Sequence, residues 1–128
     1  MNKDNQEKAA LVVSKILRDT LEEKIQWSTY PSRSKIDLLK NETLHGDVFC
    51  VMLENRCLRI YCYETPVNTS FIVNATEKWE LKYRLEFFNN ESGISEWSFP
   101  NTNSIYDLYE TIKIKISKVE DFFDSFLK

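Results

Sequence analysis

The stretch Trp79-Glu80-Leu81-Lys82-Tyr83-Arg84-Leu85-Glu86-Phe87 alternates without a break between large apolar and charged side chains. That period of two predicts a strand with Trp79, Leu81, Tyr83, Leu85 and Phe87 on a buried face and Glu80, Lys82, Arg84 and Glu86 on a wet one. Asn89-Asn90-Glu91-Ser92-Gly93 reads as a turn, after which Ser95, Trp97 and Phe99 alternate with Ile94, Glu96 and Ser98 until Pro100 stops the strand.

Two more strands precede this pair. Asp47–Leu53 and Cys57–Tyr63 are rich in apolar, β-branched and aromatic residues, and the short polar Glu54-Asn55-Arg56 between them predicts a hairpin. Phe71-Ile72-Val73 is a further short apolar run that reads as a strand or the lead-in to one. Ser28–Gly46 holds Pro31 and several Ser and Asn, and is expected to be a loop with a turn of helix or an edge strand near Ile36-Asp37-Leu38-Leu39.

Helical spacing marks both ends of the chain. From Asp4 to Trp27, Ala10, Val13, Leu17, Leu21 and Ile25 form a stripe widened by Val12 and Ile16, with Asp4 and Glu7 as a capping-box start. From Ser104 to Leu127, Ile105, Leu108, Tyr109, Ile112, Ile116, Val119, Phe123 and Phe126 keep helical spacing over about six turns, with Ser104 and Asp107 as a capping pair. Ile112 to Ile116 also alternates like a strand, and the length of the surrounding pattern favours helix. The expected architecture is α+β: one domain over residues 1–128, an antiparallel β-meander of four to five strands flanked by an N-terminal and a long C-terminal helix, both helices covering one sheet face.

The 128 residues carry 17 Lys and Arg against 20 Asp and Glu, a formal net charge of -3. No apolar run approaches the length needed to cross a bilayer, and the polar N-terminal stretch is unlike a signal peptide, so a cytoplasmic protein is expected. Three Cys, at 50, 57 and 62, fit reduced thiols better than a disulfide framework, and the Asn-x-Ser/Thr sequons at Asn41, Asn68, Asn74 and Asn90 read as accidents of an Asn-rich composition.

Chemistry finds few footholds. His45 is the one imidazole, and a dyad with Cys50 or Cys57 is not selected by any spacing. His45, Cys50, Cys57 and Cys62 hold ligating atoms, but lie too far apart along extended strands for a zinc knuckle, so no metal and no cofactor is expected. The acidic pairs Glu22-Glu23, Glu120-Asp121 and Asp107 with Glu110 read as solvated helix charges. The two isolated glycines, Gly46 and Gly93, exclude a phosphate-cradling loop. Tyr61, Tyr63 and Tyr83 could imitate a stacking platform, yet no basic stripe accompanies them, which makes nucleic acid an unfavoured partner.

The residual signal is spare apolar surface. In the hairpin, Phe49, Val51 and Leu53 alternate with Val48, Cys50 and Met52, and Leu58, Ile60 and Cys62 alternate with Arg59, Tyr61 and Tyr63. Both faces therefore carry large apolar groups, and either helices cover both or one is presented to a partner. Phe49, Val51, Arg59, Tyr61 and Tyr63 are the interface candidates there. Tyr106 and Phe122, with Ile114, fall off the main stripe of the last helix and form a second candidate surface, suited to docking another copy of the chain.

Four segments carry a family resemblance: Ile25-Gln26-Trp27, Trp97-Ser98-Phe99-Pro100, Ile105-Tyr106-Asp107-Leu108-Tyr109-Glu110 and Val119-Glu120-Asp121-Phe122-Phe123. Their pattern resembles that of small uncharacterised bacterial proteins with a helix, β-meander, helix layout. The resemblance implies the fold and a bacterial source, and its packing residues imply no activity. The expected function is a non-catalytic protein-binding domain, such as an immunity protein, toxin inhibitor or small adaptor of a bacterial conflict or defence system, whose acidic pI of about 5.3 suits a basic toxin partner. The alternatives are a small enzyme or ligand-binding module using His45 and the nearby Cys, and a nucleic-acid-binding module.

Overall fold

In the computed structural model, which describes residues 3–67 and 78–128, an antiparallel meander frames an α+β fold. The chain runs through α1 (Lys3–Leu21), β1 (Ser28–Thr29), a 3-10 turn (Arg33–Lys35), β2 (Thr43–Leu53), β3 (Arg56–Pro66), β4 (Trp79–Phe88), β5 (Ser95–Ser98), α2 (Asn103–Ser117) and α3 (Val119–Phe126). The five strands lie in sheet order β1-β2-β3-β4-β5. The expected strand at Phe71-Ile72-Val73 falls outside the described residues.

The central hairpin forms as its turn chemistry dictates. Glu54 and Asn55 both take positive φ, 50° and 63°, the conformation of a two-residue turn whose twist matches that of the flanking strands. β2 and β3 pair from Leu53↔Arg56 out to Thr43↔Glu64, with a register irregularity between His45 and Phe49. Gly46 sits in that bulge at φ 76°, where a Cβ would lie 3.1 Å from the Tyr109 hydroxyl. Tyr109 donates to the Asp47 carbonyl at 2.8 Å, so α2 is tied to the bulge.

One sheet face carries the larger core. Phe49, Leu58, Ile60, Cys62 and Leu85 pack there against Ala9, Val13 and Ile16 of α1 and Ile105, Leu108, Tyr109 and Ile112 of α2. The opposite face is not bare, and among the described residues no α-helix covers it. Tyr30 and Ile36, with half-buried Leu38, lie over Val48, Tyr61, Tyr63 and Phe88, so the Ser28–Gly46 segment is itself the second layer. This overturns the wet face expected for β4. Glu86 is buried and Arg84 half-buried beneath that layer, while Trp79 and Leu81, at the other end of the strand's apolar side, lie exposed.

Both helices differ from expectation at their ends. α1 stops at Leu21 rather than Trp27, because Glu23 turns left-handed at φ 62°. Asp4 lies inside its first turn instead of capping it. At the C-terminal end, Lys118 adopts φ 56° and divides the expected long helix into α2 and α3. The N-cap of α2 is Thr102, not Ser104, and its side chain makes no capping bond. The stripe foreseen over the whole helix is buried only through Ile112; beyond the break Phe123 and Phe126 lie exposed.

Gly93, in the β4–β5 turn at φ 78°, lets that turn touch the covering segment: a Cβ there would stand 2.6 Å from the Lys35 Cβ. Gly93→Ala is therefore strained in backbone and in space, and should lower the urea unfolding free energy by about 2 kcal/mol. An unchanged unfolding midpoint would show that this contact does not hold the layer down.

Candidate functional site

The hairpin residues expected at an interface are mostly interior. Phe49, Arg59, Tyr61 and Tyr63 are buried, and Val51 is half-buried against the larger core. The helices bury Phe49 and Val51, and the covering segment meets the opposite face, which Arg59, Tyr61 and Tyr63 share. Those tyrosines are thus closed to base stacking as well.

Arg59, 0% exposed, is the centre of a polar network. Its Nε donates to Glu86 Oε2 at 2.5 Å, Nη1 to the Tyr30 hydroxyl at 3.3 Å, and Nη2 to the Gly93 carbonyl at 2.8 Å. The guanidinium also lies 4.5 Å from the Phe88 ring centroid. Tyr61 donates its hydroxyl to Glu86 Oε1 at 3.0 Å and accepts from Arg84 Nη1 at 3.1 Å, and Arg84 Nη2 continues to Glu42 Oε2 at 3.2 Å. Burial and the neighbouring Glu86 carboxylate push the Tyr61 phenol above its ordinary range. Register explains the assembly: Arg59 faces Glu86 and Tyr61 faces Arg84 across the β3–β4 ladder. Every polar arm of Arg59 ends on a protein partner, which makes the network structural and leaves it little capacity to take a ligand.

A cleft of about 250 Å³ opens on the other face, lined by His45, Asp47, Cys62, Tyr83, Tyr109 and Lys113 among others. His45 and Cys62 are direct cross-strand partners, a proximity their sequence spacing did not reveal. His45 Nδ1 lies 3.1 Å from Glu64 Oε1. The chemistry of the cleft runs against nucleophilic work, which needs a thiolate. Burial pushes the Cys62 thiol up, and likewise the Tyr83 phenol, while Tyr109 is pushed up to about 12, chiefly by burial. Cys50 and Cys57 belong to the opposite face. Among the described residues no group of His, Cys, Asp and Glu could hold a metal ion.

Two candidates remain at the surface. Tyr106 packs edge-on against Tyr83 at 4.9 Å between centroids, with its own ring half-exposed. Phe122 is 62% exposed on α3. Tyr106 lies in the first turn of α2 and Phe122 beyond its other end, and the 15 residues of α2 span about 22 Å, so the two do not form one patch.

Phe122 has companions that the sequence pattern assigned to the core. Val119, Phe122, Phe123 and Phe126 recur at helical spacing along one side of α3, and none is buried. Phe126 is 76% exposed and stacks on Phe122 with centroids 5.6 Å apart and planes at 15°. Glu120, Asp121, Asp124 and Ser125 occupy the remaining positions. The missed signal was the acidic Glu120-Asp121 just past the left-handed residue, which starts a separate helix where acids favour the N-terminal dipole.

Comparison with known proteins returns no match: no protein-family model, no curated protein and no solved structure is significantly similar to the chain. Among the described residues, no helix is long and apolar enough to cross a membrane.

The network and the cleft each yield an expected outcome. Glu86→Gln leaves the buried Arg59 charge without its counterion and should cost about 3–5 kcal/mol in denaturant unfolding, whereas Arg59→Met with Glu86→Leu should cost less than that single change. Equal losses would mean that the pair's charge is irrelevant to the layer. In the cleft, the Cys62 thiol of a Cys50→Ser, Cys57→Ser chain should react with a disulfide reagent at pH 8 on the order of tenfold more slowly than in the unfolded chain. Faster reaction in the native chain would mark an activated thiol.

Proposed function

We propose that this chain is a non-catalytic protein-binding module that docks through the aromatic face of α3. The observation that supports this reading is a helix whose apolar side chains recur at i, i+3, i+4 and i+7, with Val119 half-buried and Phe122, Phe123 and Phe126 exposed, the anchor pattern of a helix laid into a groove. Phe122, Phe123 and Phe126 expose on the order of 400 Å² of ring surface, an area that water disfavours and that a partner's groove would cover.

The acidic positions define the partner's chemistry. Glu120 borders the docked face and Asp121 and Asp124 lie behind it, so a complementary groove has an apolar floor and a cationic rim on the side that meets Glu120. The same acids disfavour an anionic bilayer surface, where interfacial helices carry Lys and Arg instead. An immunity protein, a toxin inhibitor or a small adaptor of a bacterial conflict system engaging a basic partner fits this arrangement. Tyr106, at the far end of α2, lies outside the docking face.

Because Phe122 and Phe126 contribute nothing to the core, Phe122→Ser with Phe126→Ser should leave thermal unfolding within about 1 kcal/mol of the parent. The same double change should weaken partner capture at least about 100-fold, the loss typical of two aromatic anchors. Tagged full-length chains of both kinds, expressed at native level in the host and compared by quantitative mass spectrometry, read this directly. A partner retained equally by the variant would sink α3 as the docking element.

A further inference from the structure

We propose that the α3 face of one copy seats in a groove of a second copy, and reciprocally, to give a two-fold dimer. The inference rests on α3 being a docking helix, and it names the occupant from a groove this same chain carries. Two contiguous hollows of 450 and 470 Å³ run beside α1 and share Val12, Arg56, Phe87 and Phe99. Val12 forms one apolar wall from α1, and Phe87 with Trp97 and Phe99 forms the other from the end of the sheet. The Trp97 and Phe99 rings meet edge-on at 4.8 Å and Phe87 lies 5.2 Å from Phe99, so this wall is built of fixed rings.

Charge gives the groove a direction. The hollow that contains Trp97 is lined by Lys8 and Arg56 and, among the described residues, by no carboxylate. Arg56 lies over the Phe87 ring at 4.4 Å and reaches Glu96 at 3.6 Å in an exposed pair. The other hollow brings in Asp19 and Glu54, with Lys15 paired to Asp19 at 3.0 Å. A helix with Glu120 and Asp121 in its first turn therefore fits with that turn toward Lys8 and Arg56.

Area selects a reciprocal arrangement. One seated helix with its groove would bury on the order of 800 Å², the range of incidental contacts, whereas two related by a two-fold axis would bury about 1,600 Å², the standard size of a specific interface. A single copy supplies both the helix and the groove, which is the condition for a closed, isologous assembly.

Sedimentation velocity of the full chain between about 1 and 100 µM tests this, because an interface of this size without a large buried core falls in the micromolar range of dissociation. The expected result is a concentration-dependent dimer that weakens at least tenfold in Phe122→Ser with Phe126→Ser, and at least tenfold in Val12→Arg. Both changes lie at exposed positions, so circular dichroism and thermal unfolding should match the parent. A parent chain that stays monomeric throughout overturns the inference, and so does a dimer indifferent to Val12→Arg. If the parent is monomeric while the α3 change still abolishes capture of another protein, the second copy is excluded and the docking helix stands.

Discussion

The buried pairing of Arg59 with Glu86 is the constraint on which the rest of the structure depends. An arginine with no exposed surface is tolerated because β4 supplies its carboxylate, the β4–β5 turn supplies the Gly93 carbonyl and the covering segment supplies Tyr30. Taking those charges out of water is unfavourable unless all three arrive together, so the pair ties the sheet, a turn and an irregular segment into one arrangement. A leucine at position 59 would pack without demanding any of them. The network thus selects a particular covering layer more than it strengthens the sheet.

That same network shows where sequence patterning carries information and where it stops. The central hairpin, the order of elements and the helical ends were legible, because turn chemistry and hydrophobic period are local properties. The second layer was not. Glu86 and Arg84 read as solvent-facing charges on an alternating strand, since nothing within their own stretch of sequence announces that Tyr30 and Ile36 will lie over them. The large apolar groups on both hairpin faces did signal that something must cover each side, and the occupant proved to be the Ser28–Gly46 segment, whose Pro, Ser and Asn content argued for a loop. The core assignment of Phe123 and Phe126 failed for a related reason: they kept perfect helical phase with the core stripe, and phase cannot register the left-handed Lys118 that carries them out of the core's reach.

The proposed function rests on surfaces rather than on reacting groups. Of the groups that could do chemistry, Arg59, Tyr61 and Glu86 are consumed by structure, and Cys62 and Tyr109 are held protonated by burial. What the fold leaves unspent is apolar and aromatic: the α3 face on one side and the hollow beside Phe87, Trp97 and Phe99 on another. A short helix after a left-handed residue can present aromatic side chains at almost no cost to the core, because its packing was never part of it.

The covering layer has a property unlike that of the sheet beneath it. Between Tyr30 and Glu42, among the described residues, the backbone amides that reach a carbonyl are those of Tyr30, Lys35, Ile36 and Glu42. The layer is held by what its side chains bury rather than by a backbone ladder. Amide hydrogens there exchange with solvent by small local openings, while those of β3, paired on both edges, wait for the sheet itself to come apart. The molecule consequently has two levels of stability, with its most completely buried charge lying at the boundary between them.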